Sequence, residues 1–355
     1  MAPLRPHAPP PSHLSVRRWV RTRSCPLSTF LCLLPVVLAA SCGQTLDAGY
    51  NVAQGSLPVD AHNPVILIND SGSDNWSPEY AALFAANGGP PLVGLVVNAT
   101  QYWPDLDANL AEWRDFVAAA RTAGLRGIPD PVRSVGPQLV VPPDRQIGST
   151  KPNHSAGAEL IVRKSEALSL PGQPLVILSG SQLTDVADAY LLDPTVADRV
   201  VVVAQLGSYS EPKGPMNAPN GDLDPWADWI VAQYFSYVQV SVSYDQGADV
   251  TTDDLANLPP NQLGTWMAAK QAKVSALQSA SEQGTILAVA DPRFITSVVP
   301  SVADTSGGFN VPPGQGPTLV PGDGGNAALV TQVDAAAARA RMWEMLTNPN
   351  TFGPK

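Results

Sequence analysis

The chain has 355 residues and a formal net charge of −10 at pH 7, a length that allows one large α/β domain or two smaller ones. The acidic balance and the lack of a basic stripe disfavour nucleic-acid binding. Hydrophobic residues make up 44% of the chain, which excludes wholesale disorder. The 36 prolines and 28 glycines predict many ordered loops.

The N-terminal region has the layout of an export signal. Residues 1–28 are basic and proline-rich, and residues 30–40 form an apolar run that is too short to span a membrane as a mature helix. Small residues lead from this run to Cys42, a pattern that resembles a bacterial lipoprotein signal. The resemblance implies removal of residues 1–41 and an extracytoplasmic protein that contacts a membrane only through a lipid on Cys42. The alternative is an ordinary secretory signal with an incidental cysteine, and hence a secreted or periplasmic protein.

The chain beyond the signal is poor in cysteine and begins with a polar segment. Cys25 and Cys32 fall within the signal region, so the mature chain has no cysteine pair for a disulfide and no cysteine nucleophile. Residues 42–62 are polar with glycine and proline, which predicts a flexible tether. Residues 63–355 contain no internal repeat and no change in composition, so we predict a single domain there.

Predicted strands and helices alternate along this domain. Apolar, β-branched runs predict buried strands at 65–68, 91–97, 174–178, 199–204 and 285–289. Apolar residues at intervals of three or four predict helices at 78–85, 106–123, 157–168, 185–192, 225–234, 263–279 and 335–346. Residues 237–244 alternate between apolar and polar, which predicts a half-exposed edge strand. Residues 127–155 and 307–325 are predicted as loops.

This alternation predicts an α/β fold with a doubly wound, mostly parallel open sheet and helices on both of its faces. In such a sheet the carboxyl ends of the strands lie along one edge, and ligands bind there. The side chains that come directly after each predicted strand are therefore the first candidates for a functional site.

Oxygen-bearing residues follow most of the predicted strands. They are Asp70 and Asp74, Asn98, Thr184 and Asp291, with Asn220 in a long polar loop. Carboxylates and amides gathered on one edge suit Ca²⁺ or Mg²⁺ and a polyhydroxy ligand. On the local sequence alone, Asp70 and Asn75 are equally well explained as caps of the turn and of the following helix. The chain lacks the glycine-rich nucleotide motifs and the G-x-S-x-G serine motif, so those two chemistries are disfavoured.

These residues carry a resemblance to the nucleoside hydrolases of the inosine-uridine-preferring type. Residues 68–75 resemble the family's opening D-x-D-P-G-x-D-D, and residues 178–185 resemble its A-L-G-P-L-T-N. Residues 218–227 are similar to its E-F-N-x-x-x-D-P-x-A-A segment. Shorter similarities involve its G-N, M-G-G and H-D motifs, at 97–98, 205–207 and 290–291. The order and spacing of these motifs are more specific than any one of them.

The resemblance implies a nucleoside hydrolase-like fold and hydrolysis of the N-glycosidic bond of a nucleoside or a related N-glycoside. It implies a Ca²⁺ ion held by Asp70, Asn75, Asp291 and the backbone carbonyl of Thr184. Asp74 would then act as general base on a metal-bound water. The ribose hydroxyls would be held by Asn98 and Asn220.

Three departures from the family pattern lie in the same motifs. Asn75 replaces an aspartate, which removes one negative charge and lowers the expected calcium affinity. Ala218 replaces a glutamate near the ribose, and Ala290 replaces a histidine that protonates the leaving base in many members. His154 could be a substitute acid, and Glu211 or Asp222 in the long loop could replace the missing carboxylate. The alternative function is a non-catalytic, sugar- or nucleoside-binding lipoprotein with a degenerate hydrolase site.

Overall fold

The computed structural model describes residues 59–72, 77–134, 136, 138–210, 220–240, 257, 262–271, 283–309 and 317–347. All of them belong to one compact unit that spans residues 44–355. The predicted signal region 1–41, the predicted lipidation site Cys42 and most of the predicted tether lie outside the described residues. So do Asp74 and Asn75, the predicted base and one predicted metal ligand.

Strands and helices alternate through most of the described chain. The strands are β1 Val65–Asn69, β2 Leu92–Val97, β3 Pro131–Arg133, β4 Leu175–Ser179, β5 Val200–Gln205, β6 Tyr209–Ser210, β7 Ser236–Val240, β8 Ile295–Asp304, β9 Thr318–Pro321 and β10 Ala327–Val333. The α-helices are α1 Ser77–Ala86, α2 Leu106–Thr122, α3 Ala156–Leu168, α4 Thr184–Leu192, α5 Pro225–Tyr234, α6 Gln262–Gln271, α7 Gln283–Ala290 and α8 Ala335–Thr347.

The described strands form one sheet in the order β3-β2-β1-β4-β5-β7-β10-β8-β9-β6. Neighbours are parallel from β3 to β10, and β8 pairs antiparallel with both β10 and β9. The chain moves outward from β1 through β2 to β3, then returns to place β4 on the other side of β1. The sheet is therefore doubly wound and mostly parallel, as predicted, and its direction of winding reverses between β1 and β4. That reversal opens a crevice beyond the carboxyl ends of these two strands.

Hydrophobic cores lie on both faces of the sheet. In β1, Val65 and Leu67 pack into one core with α1, α2, α6 and α7, while Ile66 and Ile68 pack into a second core with α3, α4 and α5. All four side chains are essentially inaccessible to solvent, and each such burial stabilises the fold by about 1.5–3 kcal/mol. The central strands are fixed from both sides, so the loops at their carboxyl ends start from rigid positions.

Two strand predictions are wrong. Residues 285–289 lie in helix α7, which packs on β4, β5 and β7, because a short buried apolar run cannot be assigned to helix or strand from periodicity alone. The run predicted as an edge strand forms β7, which lies between β5 and β10 in the interior of the sheet. Its polar residue Gln239 is buried and donates to the carbonyl of Ser208 at 2.7 Å, so the alternation there reflects a buried hydrogen bond rather than exposure. Residues 241–244 lie outside the described residues.

The segments predicted as loops contain short strands. β3 lies within 127–155 and β9 lies within 307–325. The sequence interpretation also missed β8 and β10. β8 carries Pro300 opposite Ala328 of β10, and a proline inside a run weakens a strand prediction.

Residues next to the predicted start of the domain at residue 63 pack against it. Val59 is 4% exposed and packs in the first core. Asn63 donates from Nδ2 to the carbonyl of Pro174 at 2.7 Å, and Gln173 donates to the carbonyl of His62. None of the helices in the described part of the chain is long and apolar enough to cross a membrane.

Candidate functional site

Asp70 lies at the carboxyl end of β1, beside the point where the sheet reverses its winding. One oxygen, Oδ1, accepts from the backbone N–H of Ser71 at 2.7 Å, and Oδ2 accepts from the hydroxyl of Thr100 at 2.5 Å. Its backbone carbonyl accepts from Trp113 Nε1 at 3.0 Å. The residue is buried, so Ser71 and Thr100 hold the carboxylate in a single orientation while Trp113 fixes the backbone.

Asn98 directly follows β2 and is fully buried. Its Nδ2 donates to the hydroxyl of Ser181 at 2.8 Å, and that hydroxyl donates back to Asn98 Oδ1 at 3.1 Å. Ser181 follows β4, so this pair connects the ends of the two strands that flank β1.

Asn220 lies in a short 3₁₀ turn, Asn220–Leu223, and returns to the same edge of the sheet. Its Nδ2 donates to the carbonyl of Gly180 at 2.8 Å and to the carbonyl of Gln205 at 2.9 Å. Those carbonyls come directly after β4 and at the end of β5. The structure therefore places Asp70, Asn98 and Asn220 at the carboxyl ends of adjacent strands.

Thr184 is the first residue of α4, and its hydroxyl donates to Asp224 Oδ2 at 2.7 Å. Asp224 also accepts from the backbone N–H of Leu139 at 2.9 Å and caps α5 by accepting from Ala227 at 3.1 Å. This carboxylate therefore fixes α4, α5 and the loop after β3 relative to one another. The sequence shows only the Asp224-Pro225 helix start, which predicts the cap but not the other contacts.

Asp291 does not follow a strand, which corrects the argument that placed it with the other residues. It follows α7, and both of its carboxylate oxygens accept from the guanidinium of Arg293 at 2.7 Å. This bidentate pair lowers the pKa of Asp291. The guanidinium of Arg293 also occupies both of the carboxylate oxygens that a metal ion would use.

The described residues hold only part of the predicted calcium site. No group of three His, Cys, Asp or Glu side chains among them is placed to hold a metal ion, and Asp291 is paired with Arg293. Asp74 and Asn75 lie outside the described residues. Calcium binding therefore stays a prediction from the sequence.

A cleft of about 490 Å³ lies beside Asp70. Its lining includes Thr100, Gln101, Gln138, Leu139, Gln182 and Asp222. Since the Thr100 hydroxyl is bonded to Asp70, one residue both lines the cleft and contacts the strand-end carboxylate.

Asp222, which could replace the missing carboxylate, lies in the wall of this cleft. Its Oδ2 accepts from the hydroxyl of Tyr209 at 2.5 Å. Burial raises the pKa of Asp222 despite that hydrogen bond, and burial beside Asp222 raises the pKa of Tyr209 to about 12. His154 is exposed and does not line the cleft, and Glu211 lies outside the described residues.

The sequence interpretation missed Thr100, Ser181 and Gln182. Each lies within three residues of the end of a buried strand, as the predicted residues do. The signal was present, but short polar residues after strands are also common in turns. Thr100 and Ser181 are distinguished from ordinary turn residues only by their hydrogen bonds to Asp70 and Asn98.

No family model and no curated protein sequence matches the chain. Solved structures do match. A plant nucleoside hydrolase is 18% identical, with a TM-score of 0.57 over 81% of this chain and 99% of that one. The inosine-uridine preferring nucleoside hydrolase of Bacillus anthracis is 14% identical, with a TM-score of 0.55 over 79% and 99%.

A third solved structure is a nucleoside hydrolase-related hypothetical protein from Saccharophagus degradans that is associated with carbohydrate metabolism. It is 14% identical, with a TM-score of 0.51 over 82% of this chain and 74% of that one. The class defined by these likenesses is an α/β protein with the nucleoside hydrolase-like fold, as the sequence motifs predict. Function does not follow from fold alone.

Proposed function

We propose that this protein hydrolyses the glycosidic bond of a nucleoside or a related N-glycoside. The observation that carries the proposal is the position of Asp70 at the reversal of the sheet. Its carboxylate accepts a hydrogen bond from Thr100, which lines a cleft. The shared fold supports it, because nucleoside hydrolases are among the solved structures that match.

The proposed reaction breaks the bond between the anomeric carbon and the leaving nitrogen, and positive charge grows on the sugar ring as that bond lengthens. Water then bonds to the anomeric carbon, and Asp74 accepts its proton. For Asn98 and Asn220 to hold sugar hydroxyls, the sugar would have to replace the bonds that these amides make to Ser181 and to the carbonyls of Gly180 and Gln205. No step here depends on calcium, which, if bound, would orient water and sugar hydroxyls together.

The leaving group also needs a proton, and Asp222 is our candidate to supply it. A general acid must be protonated before it acts, and a raised pKa keeps more of this carboxyl protonated near neutral pH. From the cleft wall, Asp222 would take over the proton-donating role of the histidine that the family has at the position of Ala290. The leaving group would then occupy the cleft.

We expect Asp222→Asn to lower kcat for a nucleoside by about 10²-fold, because asparagine cannot transfer a proton. The loss should be much smaller for a p-nitrophenyl glycoside, whose leaving group departs without protonation. Steady-state assays of both substrates measure this difference. Equal losses on both would show that Asp222 has only a structural role.

Two control variants accompany Asp222. Tyr209→Phe removes the hydrogen bond that favours the ionised carboxylate, so the pKa of Asp222 rises further. The fall of kcat/KM with increasing pH should then move to higher pH. Asp323→Asn changes an exposed aspartate that does not line the cleft and should leave both substrates unaffected.

The proposed function as a whole is tested on a panel of nucleosides and other glycosides, with release of base or sugar followed by chromatography. We expect turnover of at least one compound, a slower rate after EDTA treatment and recovery when Ca²⁺ is added. No release from any compound would contradict hydrolysis. Glycosides other than nucleosides belong in the panel because one similar structure is associated with carbohydrate metabolism.

The second candidate is a non-catalytic protein that binds a sugar or nucleoside. The pairing of Asp291 with Arg293 favours it, together with the three family residues replaced at Asn75, Ala218 and Ala290. Ligand-dependent rises in thermal stability without turnover would support this candidate. In either case we propose a lipoprotein anchored outside the cytoplasm, which labelling of Cys42 with a fatty-acid analogue in cells would test.

A further inference from the structure

Gln182 is a buried polar side chain that faces the cleft without a protein partner among the described residues. It is 4% exposed and lines the cleft one residue after Ser181. None of the described residues forms a hydrogen bond with its side-chain amide, whereas Gln138 in the same wall donates to the carbonyl of Leu223. A buried amide needs a partner, and because Gln182 lines the cleft, a ligand bound there could supply it.

The rest of the lining restricts what can bind. Among its described residues there is no lysine, arginine, histidine or aromatic side chain, and the one charged group is the carboxyl of Asp222. The described part of the lining therefore offers a phosphate no cation and offers a nucleobase no ring on which to stack. Amide, hydroxyl and carboxyl groups are instead suited to ligand hydroxyls. The apolar side chains of Leu139, Val140 and Leu223 offer a surface for C–H groups.

We propose that this cleft binds an uncharged polyhydroxylated group, a sugar or sugar alcohol, and that Gln182 is its main hydrogen-bonding residue. The inference rests on the proposed function in one respect: if Asp222 protonates the leaving atom, the group in the cleft is the leaving group. The substrate is then the related N-glycoside of the proposed function, and its leaving group is a neutral polyol joined through nitrogen rather than a nucleobase. The Gln182 amide would donate to one hydroxyl and accept from its neighbour.

The experiment measures binding to the full chain by isothermal titration calorimetry. The probes are free monosaccharides and sugar alcohols, with adenine, uracil and ribose 5-phosphate for comparison. We expect at least one uncharged polyol to bind and the bases and the phosphate not to bind. Gln182→Met, which keeps the side-chain volume, should weaken polyol binding by about tenfold or more, because it leaves ligand hydroxyls without a partner.

Two further variants keep the test decisive. Gln205→Met removes another buried glutamine amide that has no partner among the described residues and does not line the cleft, so it should not change polyol binding. Gln101→Ala alters an exposed part of the cleft wall with little risk to folding and should weaken binding by about threefold.

The outcomes separate the inference from the proposed function. If polyols bind through Gln182 but no glycoside is hydrolysed, the function is wrong and the inference stands. If nucleosides are hydrolysed and free bases bind instead of polyols, the function stands and the inference is wrong. Equal effects of Gln182→Met and Gln205→Met would also overturn the inference.

Discussion

Replacement of Asp74 by asparagine is expected to lower kcat for the proposed hydrolysis by about 10²- to 10⁴-fold. The attacking water must lose a proton as it bonds to the anomeric carbon, and asparagine cannot accept that proton. Asp74 comes four residues after Asp70 in the sequence. Asp70 is held at the reversal of the sheet by Thr100 and Ser71, so the chain that leads to Asp74 starts from a rigid position beside the cleft.

Steady-state kinetics of Asp74→Asn should show a fall in kcat with little change in KM. Thermal unfolding of the same variant should match the original protein, which would exclude loss of the fold as the cause. Asp60→Asn is the matched control, because it changes an exposed aspartate that does not line the cleft. Unchanged kcat in Asp74→Asn would mean that this aspartate is not the base.

Much of the fold could be predicted because local and global signals agree in its central part. The runs that became β1, β2, β4 and β5 are apolar, short and bounded by turn residues. Helix α7 contains Thr285, Ile286 and Val289, which favour strands by composition. It is helical because packing on the sheet decides its conformation, and packing is not visible in a short segment of sequence.

The candidate site could be predicted only at positions that follow a strand directly. Asp70, Asn98 and Asn220 lie where the strand order predicts. Asp291 was placed with them because 285–289 was assigned as a strand, so one error in secondary structure became an error in the site. The partnership of Thr100 with Asp70 joins residues thirty positions apart, and no spacing rule predicts it.

The loop that carries Asn220 and Asp222 is supported by a buried carboxyl, Asp228 in α5. The hydroxyl oxygen of Ser208 lies within hydrogen-bond distance of both of its oxygens, at 2.8 and 3.0 Å. A Cβ on Gly221 would lie 2.8 Å from the Asp228 carboxyl carbon, so the loop packs directly on this group. Burial, together with the nearby Asp222 and Asp224, raises the pKa of Asp228 from 3.8 to about 7.

This raised pKa makes stability depend on pH in a defined direction. Between pH 4 and 7 the folded state holds a proton on Asp228 that the unfolded state has lost, so the free energy of unfolding falls as pH rises. The difference between pKa 3.8 and about 7 corresponds to about 4 kcal/mol, all of it lost above pH 7. That is a large part of the 5–15 kcal/mol typical of a domain.

The quantity to compare is therefore the fall in the free energy of unfolding between pH 4 and 8. We expect this fall to be about 4 kcal/mol smaller in Asp228→Asn than in the original protein. Asparagine keeps the size of the side chain and an acceptor for Ser208 but does not titrate. Urea unfolding at several pH values measures both curves, and their difference cancels contributions from other titrating groups. Asp323→Asn, at an exposed position, should follow the original curve. Parallel curves for Asp228→Asn and the original protein would show that Asp228 is already ionised in the folded state at low pH.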